Sequence, residues 1–180
     1  MVYILLGTGF EEIEALTPVD LLRRAGVEVK TVGLNGKIVY GSHAIGVEAD
    51  MTIEELDVSD AEMLVLPGGL GGVASIRGCG KALEAVKAVW AAGKYVAAIC
   101  AGPTVLAELG LLTGKKATCY PGQIPNMCDA MVVENAACVT DGRVITGTSA
   151  GTAVPFALAL IEALKGAEAA RAIADQIVIR

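Results

Sequence analysis

A chain of 180 residues, 54% hydrophobic and only 4% aromatic, is expected to form a single domain over 1–180 with an aliphatic core. A net charge of −6 without a basic run argues against a nucleic-acid partner. Five scattered cysteines with no C-x-x-C pair, together with a single histidine, His43, exclude a disulfide framework and a His-rich metal site, so the expected setting is reduced and cytoplasmic with no metal.

In chain order, "VYILL" (2–6) predicts a strand, and because Met1 leads straight into it no leader is expected. A helix follows from about Glu11 to Ala25 and stops at Gly26. Pro18 cannot donate to the carbonyl of Glu14, so this helix is expected to kink or restart near Thr17-Pro18. "VEVKTVGL" (27–34) predicts a second strand, and the turn signals from Gly36 to Val47 predict a small hairpin carrying His43, away from the carboxyl ends of the main strands. "AEMLVLPGG" (61–69) predicts a buried strand ending in a glycine-rich turn, and "GKALEAVKAVWAAG" (80–93) a helix. "YVAAIC" is the next strand and "PTVLAELG" the next helix. Residues 114–140 predict irregular short strands. The uncharged stretch Val144 to Ile161 contains Gly147, Ser149, Gly151 and Pro155, which predicts a strand, a turn and a helix rather than a membrane span. "AEAARAIADQ" predicts a last helix before the "IVIR" tail. Strands alternating with helices specify an α/β fold with a mainly parallel sheet covered on both faces. Functional groups should then collect at the carboxyl ends of strands, in the loops Gly7–Glu14, Pro67–Gly72 and Cys100–Pro103.

In the first loop, Gly7-Thr8-Gly9 invites a dinucleotide reading, but the third glycine is missing and Glu11, Glu12 and Glu14 stand where a pyrophosphate would lie. Glu11 and Glu12 suit a helix N-terminus, where each contributes about 0.3–1 kcal/mol. Glu14 shares a face with Ile13 and Thr17 and points to another role. In the second loop, "LPGGLGGVAS" has no Walker lysine, and its glycines leave amide groups free for an oxyanion or serve a tight turn into a helix. The third loop has the spacing of a nucleophile elbow in Ala98-Ile99-Cys100-Ala101-Gly102, with Pro103 suited to the first helical turn. A thiol at that corner is favoured as thiolate by the helix N-terminus. The alternative, a buried structural cysteine, applies better to Cys119, Cys128 and Cys138, while Cys79 is a weak second nucleophile. With His43 distant, the nearest partner for Cys100 is Glu14, a carboxyl that burial and a neighbouring thiolate push toward its protonated form.

Together, "GFEEIEALTPVDLLRRAG", "LVLPGG", "AAICAGPTVLA" and "SAGTAVPFALALIEAL" resemble the ThiJ/PfpI superfamily, and within it the parkinsonism-associated deglycase (DJ-one-like) branch, over nearly the whole chain. The resemblance implies a flavodoxin-like sandwich, a homodimer, an oxidisable cysteine at Cys100, a carboxyl partner at Glu14 and backbone donors at Gly69 and Ala101. Two positions depart from the branch. Tyr120 stands where His usually precedes Pro121, just after Cys119, and Ser149-Ala150-Gly151-Thr152 replaces Gly-Pro-Gly-Thr; Tyr120, Cys119 and Ser149 are therefore expected to line the pocket. Ala101 replaces the histidine of the peptidase branch, which disfavours peptidase activity, and the later His-Glu pair of amidotransferases is absent. The activity implied is cofactor-independent chemistry on a small aldehyde or metabolite, of glyoxalase or deglycase type; the alternative is a redox sensor or chaperone-like protein in which Cys100 becomes a sulfinate. No membrane or nucleic-acid partner is expected. The apolar 152–164 segment suggests a subunit interface, to which the resemblance would add His43 and the Arg23-Arg24 pair.

Overall fold

Five consecutive apolar residues, Val2–Leu6, form strand β1 and are buried throughout, as a strand covered on both faces requires. The computed structural model describes residues 1–179 and continues as helix α1 (Glu12–Arg24), β2 (Val29–Gly33), β3 (Ile38–Tyr40), β4 (Gly46–Glu48) and β5 (Met51–Thr52). Then follow β6 (Met63–Leu66), α2 (Leu70–Gly78), α3 (Gly80–Ala91), β7 (Tyr95–Ile99), α4 (Pro103–Glu108), β8 (Lys116–Ala117) and β9 (Met131–Val132). The chain closes with β10 (Cys138–Asp141), β11 (Val144–Gly147), α5 (Ala153–Lys165) and α6 (Ala167–Gln176). The central sheet has the order β10-β11-β7-β6-β1-β2-β5, parallel except for the antiparallel edge strand β10.

Side-chain alternation along the strands feeds two cores. Val2, Ile4 and Leu6 of β1 face a layer built from α1, α5 and α6, with Phe156 and Leu160 at its centre. Tyr3 and Leu5 face the other layer, where Val73, Val86 and Leu106 come from α2, α3 and α4. This is the expected α/β sandwich, a mainly parallel sheet with helices on both faces and the architecture of flavodoxin-like proteins. The strand order turns back at β1, which lies between β2 and β6, and such a reversal opens a crevice at the carboxyl ends. Among the described residues no helix is long and apolar enough to cross a membrane.

Several elements differ from expectation. Helix α1 neither breaks nor restarts: it runs through Pro18 as one element. The missing donor opposite the Glu14 carbonyl is tolerated because α1 buries Ala15, Val19, Leu21 and Leu22 against the sheet. The glycine-rich stretch after β6 is not merely a turn, since Leu70–Gly78 is a full helix. Its glycines serve close packing: a Cβ on Gly72 would lie 2.7 Å from Phe10 Cα, and one on Gly7 would lie 2.6 Å from Ser75 Cβ. Gly7 and Gly72 thus let the backbones of the β1–α1 loop and α2 touch, which leaves the Gly7-Thr8-Gly9 pair a packing role. In the apolar 152–164 segment, Ala153, Phe156, Ala157, Leu160 and Ile161 are buried against the sheet, while Val154, Leu158 and Ala159 are partly exposed. Exposed large apolar side chains include Ile13 on α1, Ile38, Tyr40 and Ile45 in the β3–β4 hairpin, and Leu70 and Tyr120 near the carboxyl ends of the strands.

The glycines of α2 make a paired test of this packing. Gly72→Ala should lower the urea-unfolding free energy by about 1–3 kcal/mol through overpacking. Gly78→Ala, where a Cβ would meet nothing within 4 Å, should be neutral or raise it by about 0.4–1 kcal/mol.

Candidate active site

Three loops converge at the carboxyl ends of β1, β6 and β7. Cys100 follows β7 and has φ = +64°, a left-handed conformation unusual for a residue with a side chain. Such a corner turns a strand sharply into a helix and presents the side chain above the sheet. Both flanking peptides are held. The Cys100 N–H donates to the Gly147 carbonyl at 3.0 Å, its carbonyl accepts the Tyr120 N–H at 2.8 Å, and the Gly102 N–H donates to the Ile99 carbonyl at 2.9 Å. The amides of Gly69 and Ala101 both point at the sulfur.

Glu14, in the first turn of α1, is 1% exposed. Its Oε2 accepts the Gly68 N–H at 2.9 Å, and its carboxyl also takes the Ala150 amide and is hydrogen-bonded to the Cys100 thiol. Gly68 passes between the two side chains: a Cβ there would run into Glu14 Oε2 and lie 2.6 Å from Cys100 Cβ. Only glycine allows the carboxyl and the thiol to meet across it.

Burial pushes the Glu14 carboxyl up to about 7; the Glu11 charge adds to this, and the bonds from Cys100, Gly68 and Ala150 oppose it. Burial, then the charge and hydrogen bond of Glu14, push the Cys100 thiol up to about 12 against the pull of the Ala101 and Gly69 amides. The expected preference for thiolate is therefore outweighed while Glu14 is charged. Because the groups share a hydrogen bond, they titrate as a pair holding one proton over the neutral range. When Glu14 carries that proton it donates to sulfur instead of repelling it, and the two amides favour the thiolate.

Around the pair lies a cavity of about 400 Å³ lined by Glu11, Gly69, Leu70, Tyr120, Gln123, Ser149 and Gly151 together with Glu14, Cys100, Ala101 and Ala150. The residues named from sequence thus come together, with one exception. Cys119 is buried beneath the cavity and donates its thiol to the Tyr120 carbonyl at 3.3 Å, so it does not line the site. Burial pushes that thiol up to about 11. A hollow of about 370 Å³ between residues 53–58 and α3 contains no cysteine.

His43 is not remote from the carboxyl ends, because the hairpin folds over the start of α1. The Ser42 N–H donates to the Phe10 carbonyl at 2.8 Å and the Ser42 hydroxyl donates to Glu11 Oε2 at 2.9 Å. Glu12 accepts the His43 N–H at 2.8 Å and lies 3.0 Å from its Nδ1. Burial pushes Glu12 up, but its bonds from the His43 ring, the His43 amide and Ser42 prevail and hold it at about 2. Glu11, Glu12 and His43 bring one potential metal-ligand atom each within 4.8 Å of one another. The hydrogen bonds among them and Ser42 already satisfy these groups, so the cluster is a clasp joining the hairpin to α1. Sequence reasoning treated Glu11 as helix charge only and missed that it lines the cavity; its position three residues before Glu14 was the available signal. Arg77 and Thr104 were also missed. The Arg77 guanidinium donates to Glu108 and, at 2.7 Å, to the Thr104 hydroxyl, which donates to the Ala101 carbonyl at 2.7 Å.

A family model described as the DJ-1/PfpI family matches residues 1–163. Protein dj-1beta of Drosophila melanogaster is 35% identical over 178 residues, covering 98% of this chain and 95% of that protein. A Pyrococcus abyssi protein named a deglycase is 33% identical over 165 residues, covering 91% of this chain and 99% of that protein. The structure of oxidized Toxoplasma gondii DJ-1 superposes with a TM-score of 0.92 at 35% identity, over 98% of this chain and 97% of that one.

The shared proton has a readable consequence. The rate of Cys100 alkylation by iodoacetamide, followed peptide by peptide in mass spectrometry, should rise with pH through a step near 7 as the pair loses its first proton. Glu14→Gln should remove that step and leave a single thiol titration. Identical profiles in the two proteins would show that the groups titrate independently.

Proposed function

The chain belongs to the DJ-1/PfpI family, and from that premise we propose that it is a cysteine-dependent, cofactor-independent enzyme acting on reactive carbonyls, of the glyoxalase or deglycase type. The observation that carries this reading is the Cys100 thiol at a positive-φ corner, hydrogen-bonded to a buried Glu14 and faced by the Gly69 and Ala101 amides. A nucleophile, a proton carrier and two oxyanion donors then stand within one cavity. The similarity to a deglycase of Pyrococcus abyssi supports the same class.

With methylglyoxal, the sulfur adds to the aldehyde carbon and Glu14 delivers the shared proton to the oxygen, giving a hemithioacetal. The Gly69 and Ala101 amides hold the developing oxyanion. Glu14, now a carboxylate, removes the hydrogen from the former aldehyde carbon and returns it to the adjacent carbon, while the hemithioacetal hydroxyl loses its proton and the ketone oxygen gains one. This internal redox step leaves a lactoyl thioester. Water then cleaves the carbon–sulfur bond, releasing lactate and restoring the thiol. The net reaction is methylglyoxal plus water to lactate, with no external oxidant or reductant. Two copies of the chain would pair through the exposed Ile13, Tyr40 and Ile45 of α1 and the hairpin, which flank the Glu11–Glu12 clasp.

Methylglyoxal incubated with the protein should yield lactate in proportion to enzyme, and Cys100→Ser should abolish that yield; equal turnover by the variant would refute the proposal.

A second reading draws support from the same groups. A protonated Glu14 and the two amides would also cradle sulfinate oxygens, and the relative solved in oxidized form favours this use. Under mild peroxide, Cys100 should gain two oxygens before Cys79, Cys119, Cys128 and Cys138 do. Oxidation of the exposed Cys128 ahead of Cys100 would remove the basis for a sensor.

A further inference from the structure

The two amides that face the Cys100 sulfur belong to residues that open two helices. Gly69 directly precedes α2, and its carbonyl accepts the Val73 N–H at 2.9 Å as the first bond of that helix. Ala101 stands two residues before α4. The separation of these donors therefore depends on how α2 and α4 lie against each other. Among the described residues, every hydrogen bond that joins the two helices starts at Arg77, in the last turn of α2. Its Nε donates to both Glu108 carboxylate oxygens, at 3.1 and 3.0 Å. Its Nη2 donates to Glu108 Oε1 and to the Thr104 hydroxyl, each at 2.7 Å. One planar guanidinium thus holds both ends of α4, Thr104 in its first turn and Glu108 at its last residue.

Thr104 carries this contact inward. It is fully buried, and its one hydroxyl hydrogen goes to the Ala101 carbonyl at 2.7 Å, so the hydroxyl accepts from Arg77. Back-bonding by threonine is common near helix starts. The guanidinium of a second helix on the same hydroxyl is what ties this one to Gly69. The Ala101 carbonyl belongs to the peptide that follows the N–H aimed at sulfur. The peptide that contains that N–H is held at its other end, where the Cys100 carbonyl accepts the Tyr120 N–H. Both peptide planes that meet at the Ala101 Cα are therefore fixed, and with them the direction of its N–H. The arrangement lies on the layer of α2, α3 and α4, across the sheet from α1 and from the surface where two copies would pair.

We propose that Arg77 is a positioning residue for the Cys100 site: through Thr104 and Glu108 it locks α2 to α4, fixes the spacing and aim of the Gly69 and Ala101 amides, and so sets the reactivity of the sulfur. Its catalytic meaning rests on the carbonyl reading above, which it deepens by assigning a residue outside the cavity to the oxyanion donors. Its effect on the thiol stands without that reading.

Alkylation of Cys100 by iodoacetamide, read by peptide mass spectrometry above the first titration step of the pair, tests the strut without turnover. Misaimed amides leave more of the charge on Glu14 and less on sulfur. Thr104→Val should therefore slow alkylation by about three- to tenfold, a part of the roughly hundred- to thousandfold loss that deleting an oxyanion donor causes. Thr104→Ser keeps the hydroxyl and should restore most of the rate. A merely structural role predicts the opposite sign, because local opening exposes the thiol and speeds its alkylation. Arg77→Lys keeps the charge but loses the fork that spans Thr104 and Glu108. The Arg77 side chain is 39% exposed, so this variant should fold, and it too should slow alkylation by about three- to tenfold. A charge acting only through space would leave the Arg77→Lys rate unchanged. An unchanged or faster rate in Arg77→Lys would overturn the assignment to Arg77. An unchanged or faster rate in Thr104→Val, or a Thr104→Ser variant as slow as Thr104→Val, would overturn the route through Thr104. Where lactate forms, kcat should fall in the slowed variants with KM unchanged. Slowed alkylation in a protein that makes no lactate would retain the strut and lose the carbonyl reading.

Discussion

The site depends on one contact, the hydrogen bond between Glu14 and Cys100 with Gly68 lying between them. The two side chains follow strands β1 and β7, which are not neighbours, because β6 runs between them. Adjacent strands lie about 4.8 Å apart, so a carboxyl and a thiol must reach toward each other across the exit of the middle strand. The chain leaving β6 occupies that space and can do so only without a side chain. Its amide then completes the arrangement by binding the carboxyl. The parallel sheet therefore does more than support the site. It sets the distance that makes glycine obligatory at residue 68 and makes a shared proton possible.

The backbone at Cys100 is held in a conformation that costs about 1–3 kcal/mol for a residue with a Cβ. Hydrogen bonds on both sides offset this, from β11 through Gly147 and from the 118–120 segment through Tyr120. Behind them, Arg77 joins α2 to α4 through Glu108 and Thr104, and the Thr104 hydroxyl fixes the Ala101 carbonyl. The thiol is thus presented by a rigid corner with supports from three directions, and the neighbouring amides keep their aim without rearrangement.

The sequence carried much of this, for identifiable reasons. Runs such as "VYILL" and "MLVL" have the apolar continuity of strands buried on both faces, and both became central strands. The corner at Cys100 was legible because small residues flank it and Pro103 opens the helix after it. The helix Leu70–Gly78 was not, because three of its first four positions counting from Gly69 are glycine and local propensity speaks for a turn; the gain from packing against Phe10 and Gly7 overrides that preference. The place of His43 was equally hidden. It depends on the hairpin folding over α1, a long-range contact fixed by Glu12 and Ser42 that no local pattern announces. Cys119 was misplaced by one residue of alternation: its neighbour Tyr120 points into the cavity and it points into the core.

Tyr120 shows how a side-chain departure can leave the backbone of a site in place. What reaches Cys100 from this residue is its backbone N–H, bonded to the Cys100 carbonyl. That carbonyl belongs to the same peptide group as the Ala101 N–H aimed at the sulfur. Pulling on one end of the peptide dipole strengthens the other, so the Tyr120 amide makes the Ala101 amide a better donor. Any residue but proline can supply this bond. A phenol in place of an imidazole at this position changes the cavity wall and leaves the peptide relay untouched. The Cys100 corner, the amides facing its sulfur and its carboxyl partner are therefore set by backbone and by Glu14, whereas Tyr120, with Glu11, Leu70 and Gln123, forms the surrounding cavity wall.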